Sequence, residues 1–299
     1  MIDTTHFSEC FSRWVSDIAD LSGGDVIAID GKCLRRSLDS ASNKSAIYMV
    51  SAWSNKNQLV LGQQKVGSKS NEITAIPKLL TQLNISGSVV TMDAMGCQTK
   101  IAAQIIEQQA DYLLSLKGNQ GHLHQDVKLF FESKTTAPEI GYESYDGEHG
   151  RIETRTVYAS SDIAWLRELH PKWTGLNSII AVKAKRELKN KTSEETRYFI
   201  SSLDASNPKY LGYVVRAHWG IENNLHWVLD HAFNEDNQRM RKGFGDANMA
   251  IIRHIALNLI KSEKTAKIGV KGKRLKAGWL DEYLLTVLLG GKPRASAII

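Results

Sequence analysis

Asp30 and Asp93 have the residue type and the positions suited to holding a divalent cation. Asp30 ends the β-rich run VIAID at 26–30, and Asp93 ends a second run, GSVVTMD, at 87–93. A single aspartate at a strand end more often begins a turn, so the argument depends on the pair. If the two runs are neighbouring strands, the carboxylates project from adjacent strand ends and repel each other unless a cation lies between them. Such oxygen ligands favour Mg²⁺ or Mn²⁺ over zinc.

A third carboxylate is expected on a helix late in the chain. This helix is predicted to begin at Asn207 and Pro208, because Asn is a good N-cap and Pro fits the first helical turn. Glu222 is favoured because helical spacing places it on a largely apolar face with His218 and His226. A carboxylate buried there without a partner costs several kcal/mol, and a shared metal ion offsets that cost. The acidic candidates are Glu222, Asp230, Glu235 and Asp236.

Two other interpretations of these histidines are open. Glu222 could pair by hydrogen bonds with His218 or His226, one turn away on either side, and this pairing is compatible with metal binding. The three residues could also form a zinc site, because ligands four residues apart share a helical face. Zinc is disfavoured because the spacing is not HExxH, and because three such ligands on one straight helix cannot converge on one ion. The histidines are therefore expected to orient Glu222 or to contact phosphate.

The elements around these residues predict an α/β protein. Three strands come first, after an amphipathic helix over the first twenty residues, and strands then alternate with helices, as in a sheet covered by helices. Residues 151–203 return to strand-like runs, and a second late helix follows the one that carries Glu222. The basic run at 267–278 is either a solvated linker or a DNA contact. The predicted strands lie at 26–30, 46–53, 58–66, 87–93 and 111–117, and the predicted helices between and after them at 71–83, 99–109, 121–133 and 246–263.

The bulk composition is consistent with a basic protein of the cytoplasm. A formal net charge of +6 and a pI near 9.1 favour a polyanionic partner such as nucleic acid. Cys10, Cys33 and Cys97 have no CxxC spacing, so neither a disulfide framework nor a zinc knuckle is expected. The sequence has no export signal and no run of 18 apolar residues, so no membrane segment is expected.

Six sequence strings together resemble the ISAs-type insertion-sequence transposases, the group that includes the H-repeat-associated proteins. The resemblance covers nearly the whole chain, and six strings in order are highly specific. It implies a DDE transposase with a ribonuclease-H-like catalytic core, in which Asp30, Asp93 and Glu222 are the catalytic metal ligands. The strings are VIAIDGKCLRRS at 26–37, SNEITAIP at 70–77, VVTMDAMGCQ at 89–98, DYLLSLKGNQ at 111–120, HGRIETR at 149–155 and RAHWGIENNLHWVLDHAFNED at 216–236.

The resemblance also implies a domain organisation. Residues 1–24 are an N-terminal helix and linker, and residues 25–148 and 204–299 form the catalytic core. Residues 149–203 are a β-rich insertion before the last catalytic helix. Members of this group usually carry several dozen more residues ahead of the first catalytic strand, so the chain is expected to be an N-terminally shortened copy.

The activity implied by the resemblance is hydrolysis of DNA at the element's ends, followed by attack of the freed hydroxyl on target DNA. Two Mg²⁺ or Mn²⁺ ions, roughly 3.5 to 4 Å apart, would activate the attacking oxygen and stabilise the leaving one. The expected partners are therefore double-stranded DNA, as transposon ends and as target, and a second copy of the chain in a homodimer on DNA.

Basic residues near the strings are candidates for phosphate contacts, although each could equally be a surface charge. Related transposases with a β-rich insertion before the last catalytic helix carry a pattern of Tyr, Arg, Glu and Lys around the glutamate. This pattern is imperfect here, because His218 stands in the arginine position and Leu229 in the lysine position. Three later or neighbouring arginines could take over those contacts. The candidate DNA-binding residues are Lys32, Arg35, Lys117, Arg151, Arg155, Arg216, His218, Arg239 and Arg241.

Two alternatives of other classes are open. A shortened chain could fold and bind DNA as a catalytically silent relic, or the core could act as a ribonuclease-H-like nuclease. Salt-sensitive DNA binding without cutting would favour the relic, whereas metal-dependent nicking without strand transfer would favour the nuclease.

Overall fold

The computed structural model describes residues 2–20, 24–38, 45–67, 70–133, 138, 141–147, 151–240 and 242–289. The chain divides into two compact units. Unit 1 comprises Met1–Asp20, Asp30–Leu83 and Gly220–Ile299, and unit 2 comprises Leu21–Ile29 and Asn84–Trp219. Among the described residues, no helix combines the length and the apolar character that crossing a membrane would need.

Helices and strands alternate along most of the chain. Nine strands and eleven helices are described, together with a π-helical turn at Glu222–His226. In chain order they are α1 Thr4–Ile18, β1 Val26–Leu34, β2 Ile47–Ser54, β3 Leu59–Lys65, α2 Glu72–Leu80, β4 Val89–Met92, α3 Thr99–Glu107, β5 Asp111–Leu116, α4 Gly121–Glu132, β6 Tyr142–Asp146, β7 Arg151–Ser160, α5 Ala164–Leu169, β8 Ser178–Leu188, β9 Lys191–Ser201, α6 Pro208–Ala217, α7 Trp219–Ile221, α8 Trp227–Phe233, α9 Gly245–Ser262, α10 Val270–Trp279 and α11 Asp281–Leu288.

Unit 2 contains a large mixed sheet. Its strand order is β1-β4-β5-β9-β8-β7-β6. The strands β1, β4 and β5 are parallel, and the remaining neighbours are antiparallel. Apolar side chains from one face of this sheet pack against Leu211 and Val214 of α6. Burial of this face removes a continuous apolar surface from water, which is the main stabilising contribution to such a layer.

Unit 1 is built around the hairpin of β2 and β3 and the second half of β1. The hairpin is antiparallel, with a register shift between Ala52 and Trp53. Helix α9 is fastened to β3 by the side chain of Asn258, which accepts from the backbone of Val60 and donates to it, each at 2.9 Å. This pair of hydrogen bonds satisfies backbone groups that the sheet leaves open.

The end of unit 1 is a small helical cluster. Ile260 of α9 packs with Tyr283 and Val287 of α11. The carboxylate of Glu263, which is fully buried, accepts a hydrogen bond from the Tyr283 hydroxyl at 2.7 Å and lies 3.2 Å from the ammonium of Lys273. A basic residue of α10 therefore neutralises a buried acid.

The structure confirms most of the predicted elements, with ends that differ by a few residues. The strand-like runs of 151–203 are strands, in β7, β8 and β9, with the short helix α5 between them. Asn207 caps α6 as expected, because its side chain accepts from the backbone N–H of Tyr210. The assignment of 151–203 to a separate insertion stays a prediction, and β9 pairs directly with β5.

Two expectations about local structure were wrong. Of the two interpretations of the basic run at 267–278, the linker was wrong, because most of the run forms α10, and the DNA contact stays a prediction. The helix from Pro208 is not one regular helix, because α6 ends at Ala217 and a π-helical turn separates α7 from α8. Sequence periodicity does not reveal a π-turn, because the turn changes the hydrogen-bond spacing without needing a particular residue.

Candidate metal centre

Asp30 lies in β1 where the strand changes from fully buried to partly exposed residues. Residues 26–29 are buried, and the Asp30 side chain is 16% exposed. Gly31 follows, and a Cβ at this position would fall on the carboxylate of Glu72. A side chain at this position would displace the carboxylate of Glu72, which lies directly over Gly31.

Glu222 and His226 begin and end the π-helical turn. The backbone N–H of Trp227 donates to the carbonyl of Glu222, which is the five-residue spacing of a π-turn. Leu225 and His226 are buried, whereas the Glu222 side chain is 52% exposed. Turns of this kind occur frequently at functional sites. Here the turn carries the exposed Glu222 side chain at its start and the buried His226 side chain at its end.

Asp30, Glu222 and His226 converge in unit 1. One potential ligand atom from each residue lies within 4.8 Å of the other two. His226 Nδ1 is 3.5 Å from Asp30 Oδ2 and 3.7 Å from Glu222 Oε2. The His226 side chain is only 9% exposed. Two carboxylates and one imidazole nitrogen therefore surround a common space that a divalent cation could occupy.

Lys32 connects the strand that carries Asp30 to the helix that carries Glu222. Its ammonium donates to the backbone carbonyl of His226 at 3.2 Å and contacts the carboxylates of Asp230 and Glu235 at 2.5 Å and 3.1 Å. Residues two apart in a strand face the same side, so Lys32 and Asp30 point in the same direction. Lys32 therefore fixes the π-turn relative to Asp30.

A buried ionic network continues behind Lys32. Glu235, only 2% exposed, lies 3.8 Å from the guanidinium of Arg253, which also donates to Gln238. Burial raises the pKa of Glu235, an effect that Lys32 and Arg253 partly offset. Burial also lowers the pKa of His254 to about 3, and neighbouring basic groups act in the same direction. His254 is therefore neutral at physiological pH.

Asp93 lies in unit 2, immediately after β4. Its side chain is exposed, and Oδ1 accepts from the backbone N–H groups of Met95 at 2.9 Å and Gly96 at 3.4 Å. The residue thus begins a turn. Met92 is the parallel register partner of Ile29, so Asp30 and Asp93 are the next residues after a paired position on each strand.

The expected burial of Glu222 was wrong. The helical wheel placed its carboxylate on an apolar face, whereas the buried polar side chain of this segment is that of His226. Glu222 and His226 are neighbours, as the alternative pairing required, but at 3.7 Å their contact is an ion pair and too long for the hydrogen bond considered above. His218 belongs to unit 2, where its Nδ1 lies 3.1 Å from the Thr91 hydroxyl.

The predicted DNA-binding residues differ in their surroundings. Lys32 is 12% exposed and held by two carboxylates, which leaves its ammonium little access to phosphate. Arg155 is 15% exposed and pairs with Glu153 at 2.5 Å. Arg35 is exposed beside Asp236 at 3.7 Å, and Arg216 is exposed beside Asp146 at the same distance. Lys117 and Arg239 are exposed, Arg151 is half-buried, and Arg241 lies outside the described residues.

Comparison with known families assigns the chain to one protein family. Residues 21–259 match the family described as the transposase DDE domain. Because the match spans most of the chain, the chain belongs to this family, and its function is DNA transposition. The predicted resemblance to the H-repeat-associated transposases is confirmed. Proteins of this family generally depend on divalent metal ions, and the acidic group in unit 1 is a candidate for that role.

Curated relatives support the assignment over nearly the full chain. YncI of Escherichia coli, which is named as a transposase, is 42% identical over 292 residues, covering 96% of this chain and 75% of YncI. YhhI of Escherichia coli, named as an H repeat-associated transposase, is 40% identical, with 97% of this chain and 78% of YhhI covered. Among solved structures, the piggyBac transposase synaptic complex with hairpin DNA aligns at a TM-score of 0.47 and 13% identity, covering 92% of this chain and 59% of that chain.

Proposed function

We propose that the chain cleaves DNA at the ends of an insertion sequence and transfers the freed strand to target DNA, with Asp30, Asp93 and Glu222 as metal ligands. The observation that carries this proposal is the convergence of Asp30 and Glu222, far apart in sequence, within 4.8 Å of a shared third ligand atom. Carboxylates gathered at this distance repel each other, and a cation between them removes the repulsion.

The donor set fits a hard divalent cation. Carboxylate oxygens are the ligands that Mg²⁺ and Mn²⁺ prefer, and the exposed Glu222 carboxylate leaves the site open to solvent and substrate. Mg²⁺ retains several waters and binds one or two protein carboxylates together with substrate phosphates. A site with two carboxylates, one of them half-exposed, matches that requirement better than a closed structural site does.

Asp93 completes the proposed ligand set. The support for including it is its place immediately after Met92, the register partner of Ile29, and the solvent exposure of its side chain. The two hydrogen bonds that Oδ1 accepts from the following turn orient the carboxylate. Asp30 follows Ile29 within β1, and Asp93 follows Met92 at the end of β4, so each aspartate comes directly after one member of a register pair.

The proposed core is ribonuclease-H-like. The features that favour it are the parallel order of β1, β4 and β5 in unit 2 and the antiparallel hairpin of β2 and β3 in unit 1. In this arrangement Asp30 ends the buried part of the first strand. The helical segment after residue 208 supplies the glutamate from a separate element.

The proposed reaction consists of two in-line displacements at phosphorus. Bound divalent ions would activate the attacking oxygen and stabilise the leaving oxygen. Asp30, Asp93 and Glu222 hold this charge in place, and Lys32 keeps the π-turn, and with it Glu222, against β1. The protein forms no covalent bond to DNA in this scheme.

Double-stranded DNA is the proposed partner. The net charge of +6 favours a polyanion, and the exposed cations Lys117 and Arg239 remain good candidates for phosphate contacts. Arg35 and Arg216 are exposed but lie beside carboxylates, and Arg151 is half-buried. Assembly as a homodimer on DNA is part of the same proposal.

The test is Glu222→Gln, assayed on DNA that carries the element's inverted repeats. The amide keeps the size of the side chain but loses the charge that holds an ion, so Mg²⁺- or Mn²⁺-dependent cleavage should fall below detection. DNA affinity should stay within about twofold and should weaken with added salt in both proteins, because phosphate contacts by Lys and Arg dominate it. Glu282→Gln, the same change at an exposed position of α11, is the matched control and should cut normally.

Three outcomes would alter the proposal. If Glu222→Gln cuts as well as the unmodified chain, Glu222 is not a ligand, and Asp230 and Asp236 become the residues to test. If the unmodified chain binds DNA but never cuts, it is a binding relic. If it nicks DNA under Mg²⁺ but never joins strands, it is a nuclease.

A further inference from the structure

We propose that His226 is a direct ligand, through Nδ1, of the ion held by Asp30 and Glu222, and that this nitrogen makes the site prefer Mn²⁺ to Mg²⁺. This inference rests on the proposed function only in that it concerns the same acidic site. It adds a nitrogen ligand to a site otherwise built from carboxylates, and it predicts which ion the site selects.

The separations around His226 Nδ1 are longer than hydrogen bonds but short enough for the three side chains to share one ion. The distances to Asp30 Oδ2 and Glu222 Oε2 are 3.5 Å and 3.7 Å, beyond the roughly 2.7 to 3.2 Å usual for N–H···O bonds. In an octahedral site with ligand atoms about 2.1 Å from the ion, neighbouring ligand atoms would be about 3.0 Å apart and opposite ones about 4.2 Å apart. Both measured distances lie between these two values, so the three side chains are close enough to share one ion.

The imidazole of His226 is held in place from several sides. Its side chain is 9% exposed, and the neighbouring Leu225 is fully buried. The backbone carbonyl of His226 accepts from the ammonium of Lys32, which fixes the turn that carries the ring. A ring held in this way loses little conformational freedom when it binds an ion, so its contribution to affinity is not offset by ordering.

The polar contacts of the His226 ring are made through Nδ1. Nε2 is fully buried and has no hydrogen-bond partner among the described residues. The ring therefore directs one nitrogen at the two carboxylates and the other into the protein interior. A histidine that served only to fill the core would not need its Nδ1 aimed at Asp30 and Glu222.

The identity of the ligand atoms determines the ion preference. Imidazole nitrogen binds first-row transition ions better than Mg²⁺, and affinity for such ions rises along the series that begins with Mn²⁺. Mg²⁺ prefers oxygen ligands and gives up water reluctantly. A site with two carboxylates and one imidazole is therefore expected to bind Mn²⁺ more tightly than a site with carboxylates alone.

The experiment uses the full chain without DNA, loaded with Mn²⁺ and examined by pulsed electron paramagnetic resonance. Nitrogen bound to Mn²⁺ produces an echo modulation from ¹⁴N, and this modulation should change when the histidines are labelled with ¹⁵N. It should disappear in His226→Gln. His231→Gln, an exposed histidine stacked on Trp227 in α8, is the matched control and should keep the signal.

Calorimetric titration gives a second measurement. His226→Gln should weaken Mn²⁺ binding by at least about 10-fold, the lower end of the loss seen when even outer-shell partners of a metal are removed. Mg²⁺ binding should weaken less, so the ratio of the two affinities should fall. Circular dichroism checks that the variant is folded, and the ¹⁵N experiment on the unmodified chain decides the question if it is not.

The outcomes separate this inference from the proposed function. If Mn²⁺ binds and Asp30→Asn removes it, but no nitrogen modulation appears, His226 is not a ligand and the carboxylate site stands. If the modulation persists in folded His226→Gln, another nitrogen is responsible and the inference is wrong. If millimolar Mn²⁺ does not bind at all, this inference and the metal site of the proposed function are both wrong.

Discussion

Asp30 and Lys32 lie on the same face of β1, and each lies close to carboxylates from later in the chain. The surroundings of the two residues differ. Asp30 lies with Glu222 and His226, whereas Lys32, two residues later, lies between Asp230 and Glu235. The other residues of both groups lie in the helical segment that follows residue 219. The carboxylates around Lys32 are matched by protein cations, including Arg253. The carboxylates of Asp30 and Glu222 lie near the imidazole of His226.

The glutamates of the two groups differ in burial. Glu235 is 2% exposed, while Glu222 is 52% exposed. A buried carboxylate must have its charge compensated within the protein, because removing one partner of a buried pair leaves an uncompensated charge. An exposed carboxylate is partly screened by solvent, so its charge needs less compensation from the protein. The Lys32 group is therefore expected to control stability, and the Asp30 group to control ion binding.

The largest expected effect is that of Lys32→Met on stability. Removal of the ammonium leaves the buried Glu235 without its closest partner, so the free energy of unfolding should fall by about 3 to 5 kcal/mol. Urea denaturation followed by circular dichroism measures the change. Lys117→Met, which removes an exposed lysine, is the control and should change stability by less than about 0.5 kcal/mol.

A double variant tests whether charge accounts for the loss of stability in Lys32→Met. Lys32→Met combined with Glu235→Gln removes both charges, so much of the lost stability should return. An equal loss in the single and double variants would mean that packing around Lys32, rather than charge, stabilises the segment.

A smaller effect concerns pH and His254. Burial lowers the pKa of this histidine to about 3 from its ordinary value of 6.5. The unfolded chain therefore binds a proton on this histidine at a higher pH than the folded chain does. The contribution of neutral His254 to the free energy of unfolding is fully present above pH 6.5 and is lost as the pH falls towards 3. Between pH 6.5 and pH 5 the loss should reach about 1 to 2 kcal/mol. Denaturation at several pH values measures it.

His254→Leu provides the comparison for the pH measurement. The substitution removes the titrating ring but keeps an apolar side chain near Phe11, which packs against His254 at a ring-centroid distance of 6.4 Å. The stability of this variant should depend less steeply on pH over the same interval. An unchanged slope would assign the pH dependence to other groups, such as Glu235.

The smallest expected effect is that of Glu222→Gln on stability. Because the side chain is half-exposed and lies near another carboxylate, loss of its charge should change the free energy of unfolding by no more than about 0.5 kcal/mol. The same denaturation assay measures it in the absence of divalent ions. A loss of stability comparable to that of Lys32→Met would show that Glu222 also stabilises the fold, and the two groups would then not differ in role.

Local patterns in the sequence were sufficient for most of the fold. Strands such as β1 and β4 are short apolar runs, and α6 begins at an Asn-Pro pair whose capping role depends only on adjacent residues. The basic helix α10 was missed because its pattern of lysines suggests a solvated run. Lys273 turns inward instead, to the carboxylate of Glu263, which lies outside that run.

The candidate site was only partly accessible from sequence. The residue types and strand positions indicated Asp30 and Glu222, and the structure brings these two together. The role of Lys32 could not be anticipated, because a lysine after a strand-end aspartate looks like a phosphate contact until its partners are known. His226 was recognised as a neighbour of Glu222, but its approach to Asp30 depends on a contact between distant segments.

The π-helical turn has a consequence for counting residues along this helix. A regular α-helix advances by about 100° per residue, whereas a turn closed between residues five apart absorbs one additional residue. In a regular helix, Leu229, seven positions after Glu222, would lie two turns further along on the same face as Glu222. With the additional residue in the π-turn, Asp230, the partner of Lys32, takes that position. A fixed-spacing motif taken from a relative that lacks the turn would be one residue out of register beyond His226. Alignments of such relatives should therefore allow a single-residue gap between Glu222 and Trp227.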